Sequence, residues 1–154
     1  MAGCSTPEYV PPLNGRTATV LFTVASPDVK NASVYIFDSR KCDGTKFVAY
    51  LTGENSTERL LGKLISSTAN QKSRIETVVP AERELVATFK FQSGVNYIMT
   101  CYNTIAFTPT VGAKYTASFD FDGSYCRTHV TRWDNTLGRD EVLASSDKPK
   151  ICSE

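Results

Sequence analysis

The sequence predicts an all-β fold, an antiparallel β-sandwich of about eight or nine short strands. Three observations carry that expectation. From Arg16 to Ala25 the residues alternate, with Ala18, Val20, Phe22 and Val24 on one side and Thr17, Thr19 and Thr23 on the other. Asp122-Gly123 lies between two alternating runs, a strong short-range hairpin signal because glycine and aspartate tolerate positive φ. Turn-forming residues recur roughly every ten residues, the rhythm of a sandwich, with a barrel as the second choice.

Taken in order, Ser5–Asn14 is polar and carries Pro7, Pro11 and Pro12, so residues 1–14 read as a tether and 15–154 as one domain. The half-buried strand Arg16–Ala25 ends at Ser26-Pro27-Asp28. Ser33–Asp38 is apolar on both faces, which suits a central strand. Asp38–Thr45, with Cys42 and Asp43-Gly44, reads as a turn that a disulfide could pin. Lys46–Thr52 is a short strand. In Gly53–Lys72 only Leu60, Leu61, Leu64 and Ile65 are strongly apolar, and Gly62 among them leaves strand and helical turn both open. Arg74–Val79 and Glu84–Phe91 flank Pro80-Ala81-Glu82-Arg83. The second carries an apolar stripe of Leu85, Ala87, Phe89 and Phe91. Tyr97–Phe107, Ala113–Phe121 and Tyr125–Trp133 read as a continuous meander, joined by Thr108-Pro109-Thr110-Val111-Gly112 and by Asp122-Gly123. A two-residue loop at Asp122-Gly123 would set Phe119 against Cys126, Ala117 against Thr128 and Tyr115 against Val130. Lys114, Thr116 and Ser118 would then face Thr131, His129 and Arg127 on the polar side. Beyond Trp133 the chain turns polar, and Asp147–Glu154 reads as a tail that Cys152 could fasten.

The chain holds 154 residues, enough for one domain with a real core. Seventeen basic and sixteen acidic residues give no field that would draw nucleic acid or an anionic membrane. No apolar run approaches the ~20 residues of a membrane helix.

Five cysteines are present. Setting Cys4 aside, Cys42, Cys101, Cys126 and Cys152 form an even set that suits two disulfides in an oxidising space. Of the three pairings, Cys42 with Cys101 and Cys126 with Cys152 is preferred, because Cys101 and Cys126 lie on strands of one meander. Bridges closing loops of this length add roughly 3–5 kcal/mol in the chain-entropy model. Zinc is a poor alternative: no pair is spaced C-x₂₋₄-C and there is one histidine.

No catalytic set, metal centre or cofactor site is expected. His129 could pair with Ser118 or Thr116 and with Asp120, but on a solvent face without a cleft. Asp120-Phe121-Asp122-Gly123-Ser124 lacks the later ligands of a calcium loop, since Tyr125-Cys126 resumes the strand. Asn31-Ala32-Ser33 and Asn55-Ser56-Thr57 match the glycosylation triplet, which keeps a eukaryotic secreted domain as a minority reading. The best candidate surface is a cationic strip of Lys114, Arg127, His129, Thr131 and Trp133, since Arg and Trp are favoured at binding hot spots. The polar Gly53–Ser73 stretch is a second candidate.

Three resemblances extend this reading. Met1-Ala2-Gly3-Cys4 resembles the end of a bacterial lipoprotein signal, with Met1 standing where leucine is usual. The resemblance implies a lipid on Cys4, and Ser5 after it implies sorting to the outer membrane. Phe107-Thr108-Pro109-Thr110-Val111-Gly112-Ala113-Lys114-Tyr115, followed by a strand reaching Cys126, is similar to a pattern in small bacterial lipoproteins of unassigned function. That similarity spans about Val78 to Trp133 and implies an immunoglobulin-like or transthyretin-like sandwich. Ala25–Asp28 also faintly resembles the transthyretin-like lipoprotein of type VI secretion baseplates. The expected function is therefore a non-catalytic, periplasmic lipoprotein that binds a protein partner of the cell envelope, touching the membrane only through its N-terminal lipid. The alternative is an inhibitor or immunity protein that blocks a hydrolytic enzyme through Gly53–Ser73.

Overall fold

The computed structural model describes residues 5–53, 72–93, 99–134 and 139–145, the last seven and residue 134 by backbone alone. Nine strands are described: β1 (Thr17–Val24), β2 (Ala32–Phe37), β3 (Lys46–Leu51), β4 (Arg74–Pro80), β5 (Leu85–Ser93), β6 (Met99–Phe107), β7 (Lys114–Phe121), β8 (Cys126–Asp134) and β9 (Arg139–Ser145). They form two sheets, ordered β4-β1-β7-β8-β9 and β3-β2-β5-β6. The all-β sandwich expected from alternation and turn spacing is thus present. Every pairing is antiparallel except β1 with β7, which run parallel.

Alternation explains the packing. Ala18, Val20, Phe22 and Val24 are all buried from β1, as are Leu85, Ala87, Phe89 and Phe91 from β5. β2, apolar on both faces, lies between β3 and β5. Five aromatic rings knit the sheets together. Phe89 of one sheet stacks on Phe119 of the other at 5.3 Å and meets Phe22 edge-on at 5.9 Å. Phe91 meets Phe119 at 6.1 Å and Phe121 at 5.3 Å. Such offset and edge-on pairs add to the area each ring removes from water.

Three expectations are corrected. First, β6, β7 and β8 are not one meander: β6 belongs to the four-stranded sheet and β7 to the other. The Thr108–Gly112 segment carries the chain across the sandwich, with Gly112 at φ +74° and donating to Thr17 O at 2.8 Å. The disulfide pairing changes with it. Cys101 and Cys126 are joined, their Cα atoms 6.2 Å apart, tying β6 to β8 across the two sheets. The preferred pairs Cys42–Cys101 and Cys126–Cys152 are therefore excluded. Cys42 is itself disulfide-bonded, to a cysteine outside the described residues.

Second, the β7–β8 loop holds four residues rather than two, pairing Phe121 with Cys126 and Phe119 with Thr128. Asp122 explains the difference. Its Oδ1 accepts from the backbone N–H of Ser124 at 2.9 Å and of Tyr125 at 2.8 Å, so the side chain organises a longer turn. Only Gly123 takes positive φ there, at +93°. A slip of two residues preserves the faces, so the apolar and polar sides stay as expected. Third, the polar stretch after Trp133 contains β9, whose backbone pairs with β8.

The N-terminal segment does more than tether. Tyr9 donates its backbone N–H to Phe47 O at 2.7 Å, and Phe47 donates to Pro7 O at 2.8 Å, so Pro7–Tyr9 covers part of the β3 edge. The Tyr9 ring packs on the core, and its hydroxyl donates to Val78 O at 3.0 Å. At the far end of β1, buried Ser26 donates to Asp120 and accepts from Phe121 N–H at 2.6 Å, locking β1 to β7. Gly53 lies against this corner. A Cβ there would sit 1.7 Å from Ser26 O, which only glycine avoids.

Candidate functional site

The outer face of the five-stranded sheet presents the expected strip. Arg127, His129 and Trp133 occupy alternate positions on β8 and are exposed, and Thr131 between them is half-buried. Trp133 leaves 54% of its surface in water. The register sets Thr116 opposite Thr131 and Ser118 opposite His129, and carried one step further it brings exposed Lys114 beside Trp133. The two-residue slip thus moves Lys114 from the expected Thr131 toward the indole. On the other side, β9 backs the strip, with Asp140 in register with Trp133 and Ser145 with His129. Arg127 reaches Asp122 at 3.3 Å, an exposed pair that leaves its guanidinium largely available.

These residues lie together on one sheet face. His129 now faces Ser118 rather than Thr116, but both lie on an open sheet face, and Asp120 is held by Ser26 on β1's side. The Asp122 carboxylate is held below its usual range, chiefly by the Tyr125 and Ser124 backbone N–H groups and slightly by Arg127. Both aspartates of the Asp120–Ser124 segment are thus used by the fold. Among the described residues no three metal-ligating side chains cluster.

A cavity of about 260 Å³ opens between the N-terminal segment and the end of β2 and β5, floored by Ile36 and Leu85 and walled by Tyr9 and Pro80. Its rim charges largely satisfy one another. Lys46 pairs with Asp38, and Arg40 forks onto Glu84 at 2.6–2.9 Å, which holds the Glu84 carboxyl below its usual range. Burial pushes the Tyr9 phenol up, opposed weakly by Arg83.

The four-stranded sheet holds a feature that alternation concealed. A bulge between Val34 and Tyr35 pairings puts Phe47 and Tyr50, three apart in sequence, on the same outer face, their rings 4.8 Å apart. Tyr50, Ser33, Lys90 and Tyr102 then form one row across β3, β2, β5 and β6. Strict period-two reading splits Phe47 from Tyr50, and the cross-strand register linking Tyr50 to Tyr102 is not written in any local stretch. Cys4, Cys152 and nearly all of the Gly53–Ser73 candidate lie outside the described residues.

No family model and no curated protein matches this chain. Among solved structures it is similar to the membrane-binding domain of pneumolysin, at 14% identity and a TM-score of 0.38, over 75% of this chain and 96% of that one.

Proposed function

We propose that this protein is a non-catalytic binding module of the bacterial envelope that docks a protein partner on the Lys114, Arg127, His129 and Trp133 strip. The observation that carries the reading is the half-exposed indole of Trp133, with Lys114 beside it in register, on a sheet face that also presents Arg127 and His129. Trp and Arg are the side chains that most often anchor interfaces, and strands hold them in place at small entropic cost. The finer fold expected from the resemblance, immunoglobulin-like or transthyretin-like, is part of this proposal; crossing connections between two packed sheets are compatible with it.

The compartment is proposed on two supports. The Ala2-Gly3-Cys4 triplet resembles a lipidation signal, and Cys42, Cys101 and Cys126 are all in disulfides, as suits an oxidising space. Intact mass of the membrane-extracted protein tests the anchor: an acyl addition on Cys4 is expected, and an unmodified Cys4 contradicts it. For the strip, the double variant Arg127→Ala/Trp133→Ala should keep its melting transition and lose capture of its partner from envelope extract. Unchanged capture by a folded double variant would remove the strip from the account.

A further inference from the structure

We propose that the outer face of the four-stranded sheet, opposite the Trp133 strip, binds an extended, carboxylate-bearing glycan. Tyr50, Ser33, Lys90 and Tyr102 are cross-strand neighbours in a single row. Tyr50 and Tyr102 stand at its two ends and leave 56% and 65% of their surfaces in water. Three strand-to-strand steps separate them, about 14 Å, the length of a short oligosaccharide.

The distribution of polarity along the row selects the ligand class. A protein interface concentrates its apolar anchors at a dry centre with a polar rim. Here the order is reversed: the exposed aromatic rings are at the ends, and the accessible polar group between them is the Lys90 ammonium, above the buried Ser33. A pyranose chain matches this, because each ring offers an apolar C–H face for stacking and a rim of hydroxyls. The platform is also stiff. Ser33 is buried and donates to Lys90 O at 3.3 Å, tying β2 to β5. The Lys90 ammonium lies 5.4 Å from the centre of the Tyr102 ring, bracing one of its faces by a cation–π contact. Phe47 supports Tyr50 from the side and is itself in contact with Tyr35 at 5.7 Å.

Charge narrows the class further. Lys90 is the only charged side chain in this row and in the adjoining row of Phe47, Tyr35, Thr88 and Thr104. Among the described residues the nearest carboxylate along these rows, Glu8, is bridged to Phe47 beyond the β3 edge, three strands away from Lys90, so the centre of the row keeps a single positive charge, which favours an anionic sugar over a neutral one. Arg127 and Trp133 belong to the other sheet, so the glycan face and the strip stand or fall separately.

The test is calorimetric titration of the intact protein with two probes, a β-1,4-linked mannuronate hexasaccharide and the neutral β-1,4-mannohexaose. The acidic probe is expected to bind more tightly. Tyr50→Ala and Tyr102→Ala should each weaken it about tenfold, while Tyr50→Phe and Tyr102→Phe, which keep the stacking face, should bind as the parent does. Lys90→Gln should erase the preference for the acidic probe, and Arg127→Ala/Trp133→Ala should leave both titrations unchanged. Absence of saturable binding to either probe overturns the proposal, as does binding indifferent to both tyrosine-to-alanine changes. It is equally overturned if the two tyrosines prove to hold a protein, read as capture from envelope extract that they control and that protease treatment of the extract abolishes.

Discussion

Phe89→Ala will destabilise the protein by about 3–5 kcal/mol, the usual cost of removing a buried phenylalanine that its neighbours cannot replace. Phe89 is fully buried at the centre of the sandwich. With Phe91 it joins the sheets, stacking on Phe119 and touching Phe22, both carried by the opposite sheet. The backbone around it is fixed by pairing on both sides, with Val34 of β2 and Asn103 of β6, so collapse into the vacated space is resisted. Equilibrium unfolding in urea measures the effect as a lower midpoint at unchanged slope. Tyr125→Ala is the control: its side chain is exposed in the β7–β8 loop, and the change should stay within about 0.5 kcal/mol. A loss below about 1 kcal/mol for Phe89→Ala would mean that the sheets do not pack through this ring.

Removing the Cys101–Cys126 bridge by the double change Cys101→Ala/Cys126→Ala should cost about 3–4 kcal/mol. The bridged positions are 25 residues apart, and the chain-entropy model assigns a loop of that length this much restriction of the unfolded state. The bond joins β6 to β8, strands of different sheets with no hydrogen-bonded ladder between them. Among the described residues, the Asn103 amide, which donates to Cys126 O at 2.9 Å, is a further tie at that edge. Comparing urea midpoints of parent and double variant, both with Cys42 intact, isolates this bridge. A variant as stable as the parent would show that the edge is held without it.

Much of the fold was legible because sheet burial writes itself into the sequence with period two. The β1 alternation, the β5 stripe and the doubly apolar β2 each reached the position that their pattern required. What misled was information that is not local. The Pro109 and Gly112 signals marked a reversal correctly, but such residues serve a hairpin and a crossing between sheets equally well. The wrong disulfide pairing followed from reading a crossing as a hairpin. Asp122-Gly123 identified a turn, whereas its length depended on the Asp122 side chain capturing two backbone N–H groups instead of leaving a tight two-residue loop. β9 was missed because its short apolar centre, Val142-Leu143-Ala144, is flanked by charge. The strip survived the error, since a slip of two residues keeps Arg127, His129 and Trp133 on one face and brings Lys114 toward the indole. The Tyr50–Tyr102 row was out of reach, as it depends on a bulge and on three successive registers.

Trp133 is the only tryptophan in the chain, so its fluorescence reports on the strip and on nothing else in this protein. The most direct test of the proposed docking face is quenching of that emission by acrylamide, with and without the fraction of envelope extract that the protein captures, cleared of tryptophan signal by subtraction against Trp133→Phe. Ready quenching is expected in the free protein, as suits an indole 54% exposed, and protection with a blue shift when the partner is bound. Emission and quenching unchanged while the partner is demonstrably bound would place the docking face elsewhere.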